Sequence, residues 1–261
     1  MTRRRTISAM RIDINADVGE ALGPWPMGDD ARLIPLVSSV NIACGFHAGD
    51  PRTIERTVAL AVAAGVAIGA HPGYPDLVGF GRRDLAMSPG DLEAAVVYQV
   101  GAVAVFARAA GAELRHVKAH GALYNRAAAD AATAEAVVRG IRRVSSLFFV
   151  VGLAGSQLLE AALAAGSPAA AEGFPDRAYE PDGRLRSRSL PDALVLEDDA
   201  VAARAVAMVS TGLVVAVDGS AIAIRPDTLC LHGDSPGVVE RALALRRALA
   251  DAGIEVRALG G

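Results

Sequence analysis

Seven short runs of Val, Ile, Leu and Ala, each followed by a longer segment of helical periodicity, constrain this chain more than any other feature. The runs lie near residues 10–14, 37–43, 66–70, 115–118, 147–152, 169–173 and 228–231. They read as uniformly apolar rather than alternating, the pattern of parallel strands covered on both faces. Helical patterns fill the intervals at about 28–36, 51–64, 89–110, 129–143, 155–165, 197–210 and 235–252. Asp50-Pro51, Ser88-Pro89 and Ser235-Pro236 each put a capping side chain before a first-turn proline, and Gly65, Gly111 and Gly253 follow helical runs where a left-handed residue ends a helix. Two stretches break the pattern: a Gly/Pro-rich loop at 72–83, and residues 214–227, which predict a β-hairpin turning at Asp218-Gly219. Seven β-then-α units predict an α/β fold. With no linker or charge block to divide the chain, residues 10–261 are expected to form one domain, preceded by a disordered tail over 1–9 with Met10 as an alternative start.

Charge and composition close off other classes. With 26 Lys+Arg against 29 Asp+Glu and 4% aromatic residues, the chain lacks the basic footprint and stacking rings of a nucleic-acid binder. Two cysteines, Cys44 and Cys230, are too few for a disulfide framework, so a reducing cytoplasm is expected and both read as buried structural thiols. The longest uncharged apolar runs, 57–70 and 94–107, are shorter than the roughly 20 residues that span a bilayer. Lys118 is the single lysine among 26 basic residues, which marks a position that needs an ammonium rather than a generic cation.

Polar residues and glycines cluster where each strand ends. The clusters are Asn15-Ala16-Asp17-Val18-Gly19-Glu20, the ten residues from Asn41 to Asp50, His71-Pro72-Gly73, His116-Val117-Lys118-Ala119-His120-Gly121 with Tyr124, Gly155-Ser156, Glu172-Gly173-Phe174-Pro175-Asp176-Arg177-Ala178-Tyr179, and His232-Gly233-Asp234. In a β/α barrel the loops after the strands meet at one rim, where such folds carry their sites. Four of the five histidines, His47, His71, His120 and His232, would converge there.

These clusters, with Gly69-Ala70 before His71 and Leu231 before His232, resemble the LamB/YcsF family over about residues 11–256. The chain has Ala119 where the family usually has proline, which leaves the flanking Lys118 and His120 intact. Members of that family form the A component of the bacterial three-part, ATP-hydrolysing 5-oxoprolinase. The resemblance implies an irregular seven-stranded β/α (TIM-like) barrel of the glycoside hydrolase/deacetylase type. It also implies a hydrolase acting on a cyclic amide, opening the lactam of 5-oxo-L-proline to L-glutamate with ATP hydrolysis and with subunits B and C as partners.

Opening an unstrained lactam needs an activated water, a group that stabilises the oxyanion and a proton for the leaving nitrogen. Asp17, His47 or His71 would serve as base or orient the water, Lys118 would hold an oxyanion or a phosphate, and His120 or His232 would protonate the amine. Asn15, Asn41, Asp50, Tyr124, Asp176, Arg177 and Asp234 are the candidate substrate-binding residues, with Arg177 facing the carboxylate. Asp17, His47, His71 and His232 also compose a set able to hold a divalent metal, and spacing does not decide between the two schemes. No G-x-x-x-x-G-K-[ST] loop is present, so ATP is expected to be used by the complex and not bound here through a phosphate loop. Lys118 is expected to face the pocket, so that its replacement would alter turnover and leave stability nearly unchanged. Trp25 would roof the ligand or anchor its loop. The rival readings are a stand-alone metal-dependent deacetylase of sugars or N-acyl compounds, and a non-catalytic 5-oxoproline-binding subunit.

Overall fold

In the first strand, β1 (Arg11–Val18), apolar Ile12, Ile14, Ala16 and Val18 alternate with Asp13, Asn15 and Asp17, and all seven side chains are buried. A strand can bury both faces only if each meets a matching surface. The computed structural model, which describes residues 10–188, 190–231 and 237–261, shows how. β1 is followed by α1 (Asp30–Leu33), which runs into a 3-10 turn (Ile34–Leu36), then β2 (Ser39–Ala43), α2 (Pro51–Ala64), β3 (Ala67–His71), α3 (Pro89–Ala109) and β4 (Leu114–Lys118). Next come α4 (Gly121–Ala129), α5 (Ala131–Val144), β5 (Phe149–Leu153), α6 (Gln157–Ala164) and β6 (Ala169–Gly173). The chain ends with α7 (Asp198–Thr211), a hairpin of β7 (Leu213–Val215) and β8 (Ala221–Ala223), β9 (Thr228–Leu231), α8 (Val238–Asp251) and β10 (Glu255–Val256).

β1, β2, β3, β4, β5, β6 and β9 pair in that order, all parallel, and β9 pairs back onto β1 to close a seven-stranded barrel. β10 adds beside the start of β1, with Arg11 opposite Glu255. Asp50 and Ser88 cap α2 and α3 through their side chains, and Gly65, Gly111 and Gly253 take positive φ as their positions predict. The hairpin at 214–227 is present, while Ser235-Pro236 lies outside the described residues.

The expectation of uniformly apolar strands is corrected. The outward face of β1 packs with Val40 and Ile42 of β2, Leu229 and Leu231 of β9 and the helices, while the inward face is polar. Side chains from non-adjacent strands meet there. Asn15 Nδ2 donates to Glu172 Oε1 of β6 at 3.0 Å and to Thr228 Oγ1 of β9 at 2.7 Å, and Thr228 donates in turn to Asp13 Oδ2 at 2.5 Å. His116 Nε2 lies 2.8 Å from Asn41 Oδ1. Period-two alternation is what a barrel demands of a strand whose inside is hydrogen-bonded.

Two further differences concern boundaries. β1 extends to Val18, so Asn15 and Asp17 belong to the strand and not to the loop after it. Helix α4 occupies a stretch expected as loop, because Asp130, whose side chain accepts from Thr133 N, starts α5 afresh and separates it from the nine-residue helix before it. The 21-residue α3 is long and apolar enough to cross a membrane, with a mean hydropathy of 1.4, but here it packs along α5, β3 and β4.

Gly69 on β3 is the residue that lets the interior close. A Cβ there would fall on the His116 ring, which crosses the strand on its way to Asn41. Gly69→Ala is therefore expected to destabilise the chain by roughly 1–3 kcal/mol through overpacking. Denaturant midpoints check this, and an unchanged midpoint would mean that the His116 ring swings aside freely.

Candidate active site

Asp17, near the C-terminal end of β1, is shared between two groups of side chains. Its Oδ1 accepts from Asn41 Nδ2 at 2.8 Å and from Lys118 Nζ at 3.0 Å, while Oδ2 faces His71 Nε2 at 3.4 Å. Lys118, the last residue of β4, crosses the barrel. Its Nζ lies 2.8 Å from Glu172 Oε1, 3.0 Å from Cys230 Sγ and 3.2 Å from Asn15 Oδ1, as well as on Asp17. Burial works against the charge of Lys118, but Asp17, Cys230 and Glu172 together outweigh it and hold the ammonium well above its ordinary range. Four acceptors surround its three N–H donors. In this structure Lys118 lines the cavity and fixes Asp17. It is 3% exposed and paired inside the barrel, so the expectation that its loss would spare stability is corrected.

On the other side of Asp17 stand three histidines and Glu20. His71 Nδ1 donates to the Lys118 carbonyl at 2.7 Å, His120 Nε2 donates to the Phe80 carbonyl at 2.8 Å, and His71 Nε2 lies 3.1 Å from His120 Nδ1. His47 stacks on His120 with centroids 3.7 Å apart, and its Nε2 is 3.7 Å from Glu20 Oε1. One ligand atom each from Glu20, His47, His71 and His120 fall within 4.8 Å of one another, so these four could hold a metal ion. Burial first, and the neighbouring His71 second, lower His120 to about 3; burial first, then His120 and His71, depress His47 far below its ordinary value. The loop at 72–83 presses this cluster shut. Phe80 adopts a left-handed φ of 54°, strained for a residue with a side chain, and so aims its carbonyl at His120. At Gly81 a Cβ would come within 2.7 Å of His47 Cβ and 2.8 Å of His120 Cδ2.

Asp17, Glu20, His71, Lys118 and His120 form the floor of a cavity of about 640 Å³. Tyr124, Phe174 and Arg177 make its wall, the starts of α4 and α6 open onto it at Gly121 and Ser156, and Arg82, Arg184, Arg186 and Arg188 ring its mouth. The floor is rich in carboxylate and imidazole; at the mouth Arg184 pairs with Asp182 and Arg186 with Glu180. Burial first, and Glu172 second, push the Tyr124 phenol far above its ordinary value, so it remains a donor.

Of the expected site residues, Asp17, His71, Lys118, His120, Tyr124 and Arg177 line this cavity. His47 sits behind His120. Asn15 and Asn41 are buried inside the barrel below the cavity and hold Glu172 and Asp17, which corrects their reading as substrate ligands. Asp50 is corrected as well: its oxygens accept from Arg52 N, Thr53 N and Gly23 N and fasten a loop to the start of α2, away from the cavity. Asp176 is buried but does not line the cavity. Arg177 spends Nε and Nη2 on the Ala193 and Arg186 carbonyls, and Trp25 is 69% exposed in a loop outside the cavity. His232 and Asp234 lie outside the described residues. In the metal set Glu20 replaces Asp17, whose Oδ1 is committed to Lys118 and Asn41. Cys44 is a buried thiol raised by burial to about 12, but Cys230 has the ammonium neighbour that sequence did not reveal.

Glu20 and Glu172 were not singled out from sequence. Glu20 ends the first polar cluster, which was its available signal. Glu172, after three alanines in β6, opens the sixth polar cluster, which was its signal.

Two outcomes follow from these burials. Lys118→Ala leaves Asp17 and Glu172 buried without their cation and should cost about 3–5 kcal/mol in unfolding free energy, measured by denaturant titration at neutral pH. His116, lowered to about 3 by burial first and Lys118 second, and His120 bind protons only when unfolded. Because the folded values are depressed, stability is complete above pH ~6.5 and falls as pH drops below it, by about 1.4 kcal/mol per pH unit for each histidine. Thermal midpoints between pH 7 and 5 test this, and a flat profile would contradict the neutral assignment.

Residues 12–261 match the LamB/YcsF family. The chain is 55% identical to the 5-oxoprolinase A component of Methylococcus capsulatus over 97% of both chains, and 52% identical to that of Chloroflexus aggregans over 95% of this chain and 98% of the other. The crystal structure of a "lactam utilization protein" from Thermus thermophilus superposes with a TM-score of 0.91 at 48% identity, covering 96% of this chain and all of the other. With the barrel, the polar clusters at its strand ends and this likeness in agreement, the chain belongs to the LamB/YcsF family.

Proposed function

We propose that this protein is the lactam-opening component of an ATP-hydrolysing 5-oxoprolinase, converting 5-oxo-L-proline to L-glutamate together with subunits B and C. The observation that carries the reading beyond likeness is the cavity floor, where Asp17 is held by a buried ammonium and borders the space a substrate would fill. Asp17 takes the proton of the attacking water as its oxygen bonds to the ring carbonyl carbon. When the C–N bond breaks, that proton passes to the ring nitrogen. Lys118 supplies the counter-charge to Asp17 and aims it. Two helix starts and the arginines at the mouth suit a substrate that carries a carboxylate.

ATP belongs to the coupling step. We assign phosphorylation of the lactam oxygen to the partner subunits and hydrolysis of the activated ring to this chain. One water opens the ring to an acyl phosphate as the C–N bond breaks and the nitrogen takes a proton, and a second water releases inorganic phosphate and leaves the free carboxylate. The sequence has no phosphate loop, and arginines line the cavity where a second anionic group would sit. Cys44 and Cys230, both free and buried, fit a reducing cytoplasm. Likeness to 5-oxoprolinase components over nearly the whole chain favours a lactam over a sugar amide as substrate.

Reconstitution with subunits B and C tests the reading by glutamate release from 5-oxoproline with ATP. Alone, the chain should show neither ATPase activity nor useful ring opening. In the complex, Asp17→Asn should lower kcat by about 10²–10⁴, the contribution of a positioned base. Lys118→Arg should also be damaging despite its retained charge, because a wider guanidinium does not fit among Asp17, Asn15, Glu172 and Cys230. ATP hydrolysis by the isolated chain, or acetate release from N-acetyl sugars without ATP, would overturn the proposal.

A further inference from the structure

We propose that Glu20, His71 and His120, joined by His47, hold a transition-series divalent cation such as Zn²⁺ or Co²⁺ on the cavity floor. Carbonyl oxygens only accept hydrogen bonds. The Lys118 carbonyl, 2.7 Å from His71 Nδ1, therefore fixes a proton on that nitrogen, and the Phe80 carbonyl, 2.8 Å from His120 Nε2, fixes one on the other ring. In the neutral form each ring is left with one bare nitrogen. Those two, His71 Nε2 and His120 Nδ1, stand 3.1 Å apart with their rings at 88°. Two facing lone pairs repel unless positive charge lies between them. Asp17 Oδ2, 3.4 Å from His71 Nε2, and Glu20 Oε1, 3.7 Å from His120 Nδ1, bring negative charge to the same point.

His47 is the second, independent sign. It is 1% exposed, and neither ring nitrogen has a hydrogen-bond partner. Buried imidazoles without partners are rare because the lost hydration is not replaced. A cation beside Glu20 Oε1, which is 3.7 Å from His47 Nε2, gives that nitrogen its partner. The His47 ring lies parallel to His120, so it must turn about its Cβ–Cγ bond, leaving the stack, to aim Nε2 at the ion.

The spacing fits a small ion. Nitrogen and oxygen donors at about 2.0–2.1 Å from one tetrahedral centre stand roughly 3.3 Å from each other. Separations of 3.1 Å and 3.7 Å lie on either side of that value, and all four ligand atoms fall within 4.8 Å of one another, so the set must draw in by about 1 Å around the ion. Three imidazoles and one carboxylate suit Zn²⁺ or Co²⁺ better than Mg²⁺ or Ca²⁺. The outward N–H bonds of His71 and His120 to backbone carbonyls are those that orient metal-ligating histidines. Bound there, such an ion polarises a carbonyl or acidifies a water. The site goes beyond the lactam reading and stands whatever the substrate is.

The test is metal binding by the full chain, read without turnover. After chelator treatment and dialysis against Zn²⁺ or Co²⁺, elemental analysis should find one ion per chain, Co²⁺ should give a ligand-field absorption band, and the thermal midpoint should rise. The near-isosteric Glu20→Gln, and separately His120→Ala, should weaken binding by about 10-fold or more and abolish the midpoint rise, with circular dichroism confirming that each variant is folded. A wild-type chain that takes up no ion near one equivalent, or variants that bind as the wild type does, would overturn the site. So would nitrogen NMR showing a proton shared by His71 and His120 with Zn²⁺ in excess.

Discussion

The buried ammonium of Lys118 is the interaction on which the rest of this barrel depends. Asp13, Asp17 and Glu172 lie inside the ring of strands, and among the described residues Lys118 is the cation that reaches two of them. Taking a carboxylate out of water costs several kcal/mol unless a counter-charge and hydrogen bonds replace the lost hydration. Lys118 supplies the charge, and Asn15, Asn41, Ser39 and Thr228 supply donors. Asp13, which has donors but no cation in contact, shows the consequence: burial raises its pKa despite three hydroxyl partners. The interior is thus a connected polar network in place of the apolar layers that fill many β/α barrels.

The network also explains why the site can be built from so many separate strands. Asp17 on β1, His71 on β3, Lys118 on β4, Glu172 on β6 and Cys230 on β9 come from five strands, and each is tied to another inside the barrel or at its end. A position tied on two sides has little freedom to reorganise when a substrate's charge changes, which is the condition for electrostatic stabilisation. The loop at 72–83 adds the upper fixation, and Asp76, which accepts from Gly79 N and Arg83, braces it. Strain at Phe80 is held by that bracing and spent on orienting His120.

Sequence carried the fold further than it carried the site, and the reason is physical. Strand and helix periodicity are local properties, so the barrel strands could be placed from runs such as Ala-Ile-Gly-Ala before His71. The inward polar residues were legible only where they clustered at a strand end. Asp17, His71 and Asn15 stood out in that way, but that Asn15 holds Glu172 depends on a contact between residues 157 positions apart. The same limit applies to Lys118: its isolation among arginines marked it as special, but what it contacts depends on four side chains from three other strands. Asp50 was misread for the opposite reason, since its cluster is genuine and its own carboxylate is used locally, as a cap.

The division between one lysine inside and arginines outside follows from the same physics. A guanidinium is broad, planar and weakly hydrated, so it serves at a mouth where it must meet passing anions and stack on surfaces such as the Phe80 ring, over which Arg82 lies at 4.9 Å. Inside the barrel the available space is a point surrounded by acceptors 2.8–3.2 Å away in several directions, which an ammonium matches and a planar fork does not. The choice of cation is therefore set by the shape of the hole it neutralises. Because that hole is formed in part by Asp17, which lines the cavity floor, the demand for a lysine and the demand for an aimed carboxylate are met by one contact.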